Sequence, residues 1–496
     1  MGPMSGSPTA PGARSVPADS AASARMTVGL TIAGCAVGLV LRWLASQTDP
    51  WLDEVWSFEL LPRMLGPSDV LFELHHSNNH PLNTLFLYWL GDGGADFWWY
   101  RLHTMVAGVA TIAVAVAIAA RRGVPEAAFA SLLFATSFIA VHHSSQARGY
   151  ALMLFGALAA FHALQRHHDR PTLANTIAYG AAIAWALFSN LYALTVVIGL
   201  SLWSLARTVE REGSVRAAFL PLLRLHALPA IALGIVIWVF YLPGLSGTQF
   251  VTHRYGIVVQ AFSLLLGGPF VGPAAEAAMG AGIVALGVGL FVLRADRDRE
   301  WLAYALVIVG APALVIAVTQ PKALFVRFFA AAEMFLLLLV AFGLGWLFRA
   351  RRAGVAGPIA ALVLAGGMVW GNLQHIDRLL EAGRGQYGAA FRYMADETFG
   401  GAFVVASDHN FGTAMMVRFF DRFVPGASIG FSAEEDPRRP PEWFVRVGHP
   451  RPPEFVYADQ LYGRDRAFPG GGFGFDWQLY RRVPLGDALR RRGVRE

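Results

Sequence analysis

Apolar runs of about 20 residues recur along the chain between residues 26 and 372, and short clusters of arginine separate many of them. A helix of that length crosses the roughly 30 Å hydrocarbon core of a bilayer. Backbone polar groups in lipid must also be paired within the segment, which favours helices. The pattern therefore predicts a polytopic α-helical membrane protein with about eleven spans. The predicted spans are residues 26–46, 98–120, 124–142, 149–165, 172–189, 191–206, 222–243, 275–294, 301–318, 327–348 and 354–372.

Residues 81–91 form an apolar segment that is only half as long as a span, and their placement decides the topology. If they crossed the membrane, the later arginine clusters would alternate to the wrong side. If they form an interfacial helix, the clusters all face the cytoplasm, as the positive-inside rule requires. We therefore expect a multi-pass protein of the inner cell membrane with a cytoplasmic N-terminus. The clusters lie at residues 121–122, 166–170, 207–216, 294–299 and 349–352.

The segments outside the spans predict the domain organisation. Residues 1–25 are rich in Ser, Pro, Ala and Gly without an apolar period, which indicates a disordered cytoplasmic tail. The membrane domain, 26–374, contains a first exterior loop at 47–97 and a second at 244–274, each with surface helices. Residues 375–496 predict a small exterior, periplasmic α/β domain. Its expected helices are 386–399 and 410–420, and its expected strands are 402–407, 453–458 and 475–482.

Composition agrees with a membrane protein and narrows the possible partners. Of the 496 residues, 55% are hydrophobic and 15% are charged, whereas soluble domains carry about 25% charged residues. The net charge of +6 could indicate nucleic-acid binding. The arginines, however, follow the pattern of cytoplasmic loops, so we expect no nucleic-acid partner. The single cysteine, Cys35, excludes an intrachain disulfide.

Two adjacent carboxylates, Asp53 and Glu54, follow the first span between Trp51 and Trp56. One interpretation is structural, since acidic residues near a helix start are favourable and tryptophans are common at the membrane interface. The other is functional, with Asp53 and Glu54 as candidate catalytic residues. The rest of the same loop favours the functional interpretation.

That loop continues with His75-His76-Ser77-Asn78-Asn79-His80-Pro81. A proline just inside a helix start predicts a helix N-terminus after His80, and such a terminus attracts anions. The alternative is an ordinary polar turn. Glu54 and His80 are also candidate ligands of a divalent metal, although their spacing matches no specific metal motif.

Several cations are predicted to lie on the same exterior side. Arg148 and Tyr150 belong to the segment Ser144-Ser145-Gln146-Ala147-Arg148-Gly149-Tyr150 before the fourth span. A planar guanidinium suits a phosphate, so Arg148 is a candidate phosphate ligand; alternatively, it extends to lipid headgroups. The other candidate substrate-binding cations are Arg101, Arg254, Lys322 and Arg327.

Acids and cations on one face of a membrane suggest a displacement at a sugar carbon. A carboxylate would activate an acceptor hydroxyl, and cations would hold a lipid-linked phosphate leaving group. A phosphate departs without a general acid, unlike the leaving groups of paired-carboxylate hydrolases. The pattern thus predicts sugar transfer from a lipid phosphate.

The order of these motifs resembles the GT-C glycosyltransferases. The motifs are Asp-Glu after the first span, Asn-His-Pro-Leu at 79–82, an arginine opening the second span, and Gln-Ala-Arg-Gly-Tyr at 146–150. Among them, the closest similarity is to the bacterial protein O-mannosyltransferase and lipid A aminoarabinose and galacturonosyl transferase group. The resemblance covers residues 26–210 well and 320–330 loosely, and it extends to the C-terminal domain only in placement. Leu82 departs from the family, which often has a second proline there.

The resemblance implies the reaction and the roles of the candidate residues. Asp53 would be the general base, and Glu54 would orient an acceptor or help to bind a metal. Arg148 and Arg327 would contact the phosphate of a polyprenyl-phosphate-linked sugar. The acceptor would be a glycan, a lipid or a protein, and the sugar would be transferred with inversion at the exterior face. Family members differ in metal dependence, so the cofactor is either a divalent metal or none.

Two other classes of function remain open at this point. A transporter or flippase of lipid-linked sugars would carry ionisable residues at mid-membrane. Few such residues are present, with His226 and Glu333 the main exceptions. The alternatives are that His226, near the cytoplasmic end of its run, is an interfacial polar residue and that Glu333 pairs with a nearby cation. A non-catalytic envelope assembly protein would use the exterior domain to bind a partner.

Overall fold

A computed structural model describes residues 18–484 apart from residues 77, 92, 95, 242–253, 296–298, 351–353, 434, 437, 449–451 and 473. The predicted tail up to residue 17, the start of the second exterior loop and residues 485–496 lie outside the described residues. The first helices, up to the middle of the membrane domain, are α1 Ala18–Ala45, α2 Leu52–Phe58, α3 Asp69–Phe72, α4 Pro81–Leu90, α5 Phe97–Tyr100, α6 Leu102–Ala120, α7 Val124–Thr136, α8 Phe138–Ser144, α9 Tyr150–Asp169 and α10 Leu173–Ser189.

The remaining helices complete the membrane domain and enter the C-terminal domain. They are α11 Leu194–Glu212, α12 Val215–Val236, α13 Arg254–Leu265, α14 Pro273–Ala295, α15 Glu300–Ala305, α16 Ala311–Thr319, α17 Ala330–Phe348, α18 Ala356–Ala382, α19 Tyr387–Asp396 and α20 Asn410–Phe420. Single turns of 3₁₀ helix lie at Leu61–Arg63, Leu191–Ala193 and Val326–Phe329, and π-helical turns at Ile237–Tyr241 and Leu306–Gly310.

Each predicted span is helical, but three boundaries differ from the prediction. The helix α1 begins at Ala18, so the tail is not disordered up to residue 25; the alanine-rich residues before the apolar run favour helix. The helix α12 begins at Val215, where the Ser214 hydroxyl caps the N–H of Ala217. The helix α18 continues to Ala382 and ends at Gly383 with φ 63°, a backbone conformation that suits glycine. Hydropathy marks where a helix leaves lipid, not where it stops.

Length and apolarity show which helices could cross a membrane. Among the described residues, eight helices are long and apolar enough to cross, and the bent pair α7 and α8 would be a ninth. The shorter apolar helices include α10. The protein is therefore a multi-span membrane protein, and the count of eleven stays a prediction.

The third predicted span is broken, and the break positions the candidate site. The helices α7 and α8 meet at an angle of 54°. The Arg42 guanidinium donates to the carbonyl groups of Phe134 and Ala135 at the end of α7, over 3.3 and 3.4 Å. The Asn372 side chain accepts the N–H of Phe138 at the start of α8, at 2.7 Å. The freed backbone groups are thus satisfied, and the turn after α8 is held inside the protein.

The C-terminal domain is built on a six-stranded mixed sheet with strand order β2-β1-β3-β6-β5-β4. The strands are β1 Ala402–Ser407, β2 Ser428–Phe431, β3 Trp443–Val447, β4 Glu454–Tyr457, β5 Gln460–Phe468 and β6 Trp477–Arg482. Strand β1 is parallel to β2 and β3, and the other pairs are antiparallel. The predicted strands near 402, 453 and 475 are present, whereas β2, β3 and β5 were not predicted.

The core of this domain is continuous with the loop that follows α1, which was predicted to be exterior. The helices α19 and α20 pack one face of the sheet, and their buried side chains form one cluster with Trp51, Val55 and Phe58. The Asp49 carboxylate also accepts the N–H of Gly388 at 2.9 Å. The helix α2 is therefore held between the membrane domain and the C-terminal domain.

Candidate active site

The helix α2 directs its two acidic residues to different places. Consecutive helical residues point about 100° apart, so Asp53 and Glu54 cannot share one face. The Asp53 side chain is 18% exposed, whereas that of Glu54 is completely buried. The two carboxylates therefore have different environments, although they are adjacent in the chain.

Glu54 forms a buried ion pair with Arg101. Its two oxygens accept from Nε and Nη2 of Arg101 at 2.8 and 2.7 Å, and Oε1 also accepts the N–H of Ala147 at 2.7 Å. Burial alone would raise the pKa of Glu54, but the Arg101 guanidinium and these hydrogen bonds outweigh it and lower the pKa below its ordinary value. Both residues were predicted to contact substrate or metal. The structure pairs them with each other in the protein interior, next to Asp53 in the chain, and their contact with a substrate stays a prediction.

Arg101 extends the same network to the end of the first span. Its Nη1 donates to the carbonyl groups of Ser46 and Thr48, each at 2.7 Å. The pair thus ties α2, the start of α6 and the end of α1 to one another. Its location explains how the position of Asp53 is fixed.

Asp53 lies between two arginines that come from distant parts of the chain. Its Oδ2 accepts a hydrogen bond from Nη1 of Arg148 and another from Nη1 of Arg327, the latter at 3.1 Å. Arg327 is 274 residues away in sequence. The structure therefore brings together Asp53, Arg148 and Arg327, three of the candidate residues.

Arg148 is held on every side by this part of the protein. Its Nη2 donates to Asn78 Oδ1 at 2.7 Å and lies 3.3 Å from Nε2 of His80. The guanidinium also lies over the rings of Trp51 and Tyr150, at 5.7 and 5.1 Å from their centroids. Tyr150, predicted as a substrate ligand, is buried and supports the arginine.

Gly149 allows this arrangement through a close approach. A Cβ at this position would overlap the carbonyl oxygen of Ser189 and would lie 2.9 Å from Cβ of His80. Any side chain would therefore separate the turn that carries Arg148 from α4 and α10. The close packing of this turn thus explains why the segment Gln-Ala-Arg-Gly-Tyr has a glycine at position 149.

His80 precedes α4, which begins at Pro81 as predicted. Its side chain does not cap the helix but is buried beside Arg148. Burial, and secondarily the charges of Arg148 and Arg327, lower the pKa of His80 well below its ordinary value. The imidazole is therefore neutral near pH 7.

A divalent metal at Glu54 and His80 does not fit the side chains present. The oxygens of Glu54 are engaged by Arg101 and by the N–H of Ala147. Two guanidinium groups already bind Oδ2 of the neighbouring Asp53, and their positive charge disfavours a cation there. Across the described ranges, no three His, Cys, Asp or Glu side chains are placed to hold a metal ion together.

Arg254 and Lys322 are placed elsewhere. The side chains of Arg254 and Lys322 are both exposed. Arg254 donates a hydrogen bond to the carbonyl of Pro321 at 3.1 Å. Within the part of the chain that the structure describes, neither forms a hydrogen bond or ion pair with Asp53. These two cations are not part of the Asp53 cluster.

Asn78 and Arg384 are two further polar residues that the sequence did not single out for this cluster. The amide of Asn78 donates to the carbonyl of Asp53 at 3.0 Å while its oxygen accepts from Arg148. Arg384 is fully buried and donates to Ser145 Oγ at 2.6 Å and to the carbonyl of His142 at 2.9 Å. Asn78 could have been found from its place in the polar segment before Pro81. Arg384 gives no such local signal.

The two mid-membrane candidates differ in how they are satisfied. Nε2 of His226 lies 3.1 Å from Ser204 Oγ, within hydrogen-bond distance. His226 is therefore a polar residue with an ordinary hydrogen-bond partner. Glu333 is buried, and neither of its oxygens has a hydrogen-bond partner among the described residues. The alternative that Glu333 pairs with a nearby cation is therefore not supported among the described residues. Its side chain lines an apolar cavity of about 350 Å³ together with residues of α13, α14 and α16.

No family model matches the chain, and no curated protein sequence matches it. Solved structures match it by fold. The crystal structure of ArnT from Cupriavidus metallidurans bound to undecaprenyl phosphate aligns with a TM-score of 0.53 at 14% identity, over 92% of this chain and 98% of that chain. The structure of the same protein in the apo state aligns with a TM-score of 0.53 at 14% identity, over 84% and 93% of the two chains.

The chain therefore has the fold of ArnT over nearly its whole length. This confirms the predicted fold class to the extent of a polytopic helical membrane protein with an ArnT-like fold and a small C-terminal domain built on a sheet. Identity this low establishes shared architecture, and the activity must be argued from the site.

Proposed function

We propose that the chain is a membrane glycosyltransferase that moves a sugar from a polyprenyl-phosphate-linked donor to an acceptor hydroxyl at the exterior, periplasmic face of the inner membrane. The observation that carries the proposal is the cluster of Asp53 with Arg148 and Arg327. A carboxylate beside two guanidinium groups provides a base and a phosphate site in one place. The ArnT-like fold, solved for ArnT with undecaprenyl phosphate, supports a lipid-linked donor.

The two arginines have different roles in this proposal. Arg148 is 4% exposed, and both of its terminal nitrogens are engaged by Asp53, Asn78 and His80. Arg327 is 25% exposed, and a guanidinium has five N–H donors. Arg148 is therefore the residue that orients Asp53, and Arg327 is the ligand of the donor phosphate.

The reaction is a single displacement at the anomeric carbon. The acceptor oxygen attacks opposite the phosphate, so the configuration inverts, and Asp53 takes the hydroxyl proton. The bond between the anomeric carbon and the phosphate oxygen breaks, and its electron pair leaves with the polyprenyl phosphate. Arg327 stabilises that charge. A positioned general base typically supplies about 10²–10⁴-fold, and fixed cations at the developing charge supply a comparable share.

The test is sugar transfer by the full chain reconstituted in lipid vesicles. Undecaprenyl-phosphate-linked hexoses, pentoses and uronic acids are supplied with a cell-envelope extract as acceptor, and released undecaprenyl phosphate is measured. Asp53→Asn is expected to lower kcat by about 10²–10⁴-fold, because the amide cannot take the proton. Arg327→Ala is expected to raise KM for the donor.

Asp96→Asn is the matched control, since Asp96 is an exposed acid of the same loop whose side chain forms no cap hydrogen bond. Its activity should equal that of the unchanged chain. Near-normal transfer by Asp53→Asn would contradict the assignment of the base. The absence of transfer from every donor by the unchanged protein would contradict the proposal as a whole.

Glu333 favours a second candidate, a transporter or flippase of lipid-linked sugars. A buried acid without a partner in an apolar cavity is a common feature of transport pathways. The measurement is movement of a fluorescent polyprenyl-phosphate sugar across vesicles, comparing Glu333→Gln with the unchanged chain. Movement that Glu333→Gln stops and Asp53→Asn leaves intact would establish the transporter instead.

A further inference from the structure

A second cation-rich cavity lies at the other end of the spans. Its volume is about 370 Å³, and it lies between α11, α14 and α15. Trp203 and Arg207 follow Tyr192 by 11 and 15 residues, which is about 17 and 22 Å of helix. Tyr192 is on the Asp53 side, 6.3 Å from the ring of Tyr150. The cavity is therefore separate from the candidate active site, and the predicted topology places it at the cytoplasmic face.

Three guanidinium groups line this cavity, and among the residues described two of them share one carboxylate. Arg299 and Arg207 lie 2.8 and 3.7 Å from Glu210. Arg294 lies over the ring of Trp301, 5.5 Å from its centroid. Within the described residues the cavity wall thus carries an excess of positive charge, which favours an anionic ligand.

Trp203 gives an independent indication of a ligand. The side chain is only 2% exposed and lines the cavity, and its indole N–H has no acceptor in the described part of the chain. A buried donor without an acceptor is costly. An oxygen of a bound anion would satisfy it.

The surroundings of the cavity favour a lipid as the source of that anion. The helices α11 and α14 and the helical segment Glu300–Thr319 are candidate spans, so the cavity is at headgroup level. Large apolar side chains within two turns on the same helices are exposed, as they are where lipid chains run: Leu202, Leu205, Val288 and Phe291. Basic pockets between span ends on the cytoplasmic side are typical sites for anionic headgroups.

We infer that this cavity binds the phosphate of an anionic phospholipid, with its acyl chains along α11 and α14. Arg207, Arg294 and Arg299 hold the phosphate charge, and Trp203 donates its indole N–H to a phosphate or glycerol oxygen. Such a lipid would join three helices that approach one another at this end of the bundle. The inference does not depend on the proposed sugar transfer.

Native mass spectrometry of the full chain in detergent tests this site with phosphatidylglycerol and phosphatidylcholine of identical acyl chains. Phosphatidylglycerol is expected to be retained at least fivefold better. Arg294→Gln should lower its retention by about fivefold, and Trp203→Phe should also lower it, because the ring remains but the donor is lost. Arg294→Gln should affect the retention of phosphatidylcholine less than that of phosphatidylglycerol, because phosphatidylcholine carries no net charge.

Arg216→Gln is the matched control, because Arg216 is an exposed arginine of the adjacent helix α12 and does not line the cavity. It should retain phosphatidylglycerol as the unchanged chain does. Equal retention of the two lipids, or equal losses in Arg294→Gln and Arg216→Gln, would overturn the inference. Displacement of phosphatidylglycerol by an equal concentration of glycerol 3-phosphate would show that the ligand is a soluble phosphate and not a lipid.

Discussion

The two cation-rich sites, at opposite ends of the spans, hold their arginines in different ways. Near Asp53, the Arg148 side chain is 4% exposed and bonded to a carboxylate, an amide and an imidazole. At the opposite end, Arg207 and Arg299 are 39% and 57% exposed and share Glu210. A buried and bonded guanidinium keeps one geometry, whereas an exposed one mainly adds charge. The first arrangement suits positioning of reacting groups, and the second suits retention of a headgroup.

The buried ion pair that supports the Asp53 site and the exposed ion pairs of the second cavity provide the largest expected contrast. Glu54→Ala leaves Arg101 buried without its partner, and we expect a loss of about 3–5 kcal/mol in the free energy of unfolding. Glu210→Ala removes an exposed partner and should cost less than about 1 kcal/mol. Thermal unfolding in detergent, followed by loss of the monodisperse peak, measures both. Equal melting of the two variants would remove the distinction between the sites.

The packing around Arg148 offers the next test. Gly149→Ala places a methyl group against the carbonyl of Ser189 and against His80, so the turn that carries Arg148 must shift. A shift of about 1 Å can cost roughly 10²-fold in rate, and we expect that loss in kcat/KM with little loss of protein from the membrane. Gly343→Ala is the control, because a Cβ there meets nothing within 4 Å. Full activity in Gly149→Ala would show that the geometry of Arg148 does not matter.

The smallest expected effect is on the pH dependence of stability. The pKa of His80 is lowered in the folded protein by burial and by Arg148, whereas an unfolded histidine titrates near about 6.5. Below that pH the unfolded chain binds a proton at His80 that the folded chain does not, so this residue lowers stability as the pH falls, by at most about 1.4 kcal/mol per pH unit. No such term is expected at higher pH.

Melting temperatures between pH 7 and 5 measure this term in the unchanged chain and in His80→Asn. The variant should lose less stability across that range. His75→Asn, a change of an exposed histidine in the same loop, is the matched control for the substitution itself. Identical slopes in the unchanged chain and in His80→Asn would mean that His80 is not the neutral buried group described.

Local pattern was sufficient for much of the fold. The apolar runs predicted where helices would form, and Pro81 predicted the start of α4. The pattern failed at helix ends, because α18 leaves the apolar run and continues to Ala382. It also failed for β5, whose residues Gln460–Phe468 include exposed charges and form a strand by pairing with β4 and β6.

The candidate site was predictable in its members but not in their arrangement. The sequence placed Asp53, His80 and Arg148 on the same side through the arginine bias of the loops. It could not separate Asp53 from Glu54, since adjacent acids have the same local signal. In the structure the two differ because Glu54 is buried against Arg101, whereas Asp53 is partly exposed.

The sequence by itself determined the class of the protein, the order of its helices and the polar segments that contribute to the site. These properties depend on apolar run length, helix breakers and loop charge, which are local in the chain. Only the tertiary structure decided that Arg327 reaches Asp53 across 274 residues, whereas Arg254 and Lys322 do not. It also assembled three arginines and Trp203 into a second cavity. The physical reason is that contacts between elements depend on how helices pack and bend, as at the 54° break between α7 and α8, and local periodicity does not encode those angles.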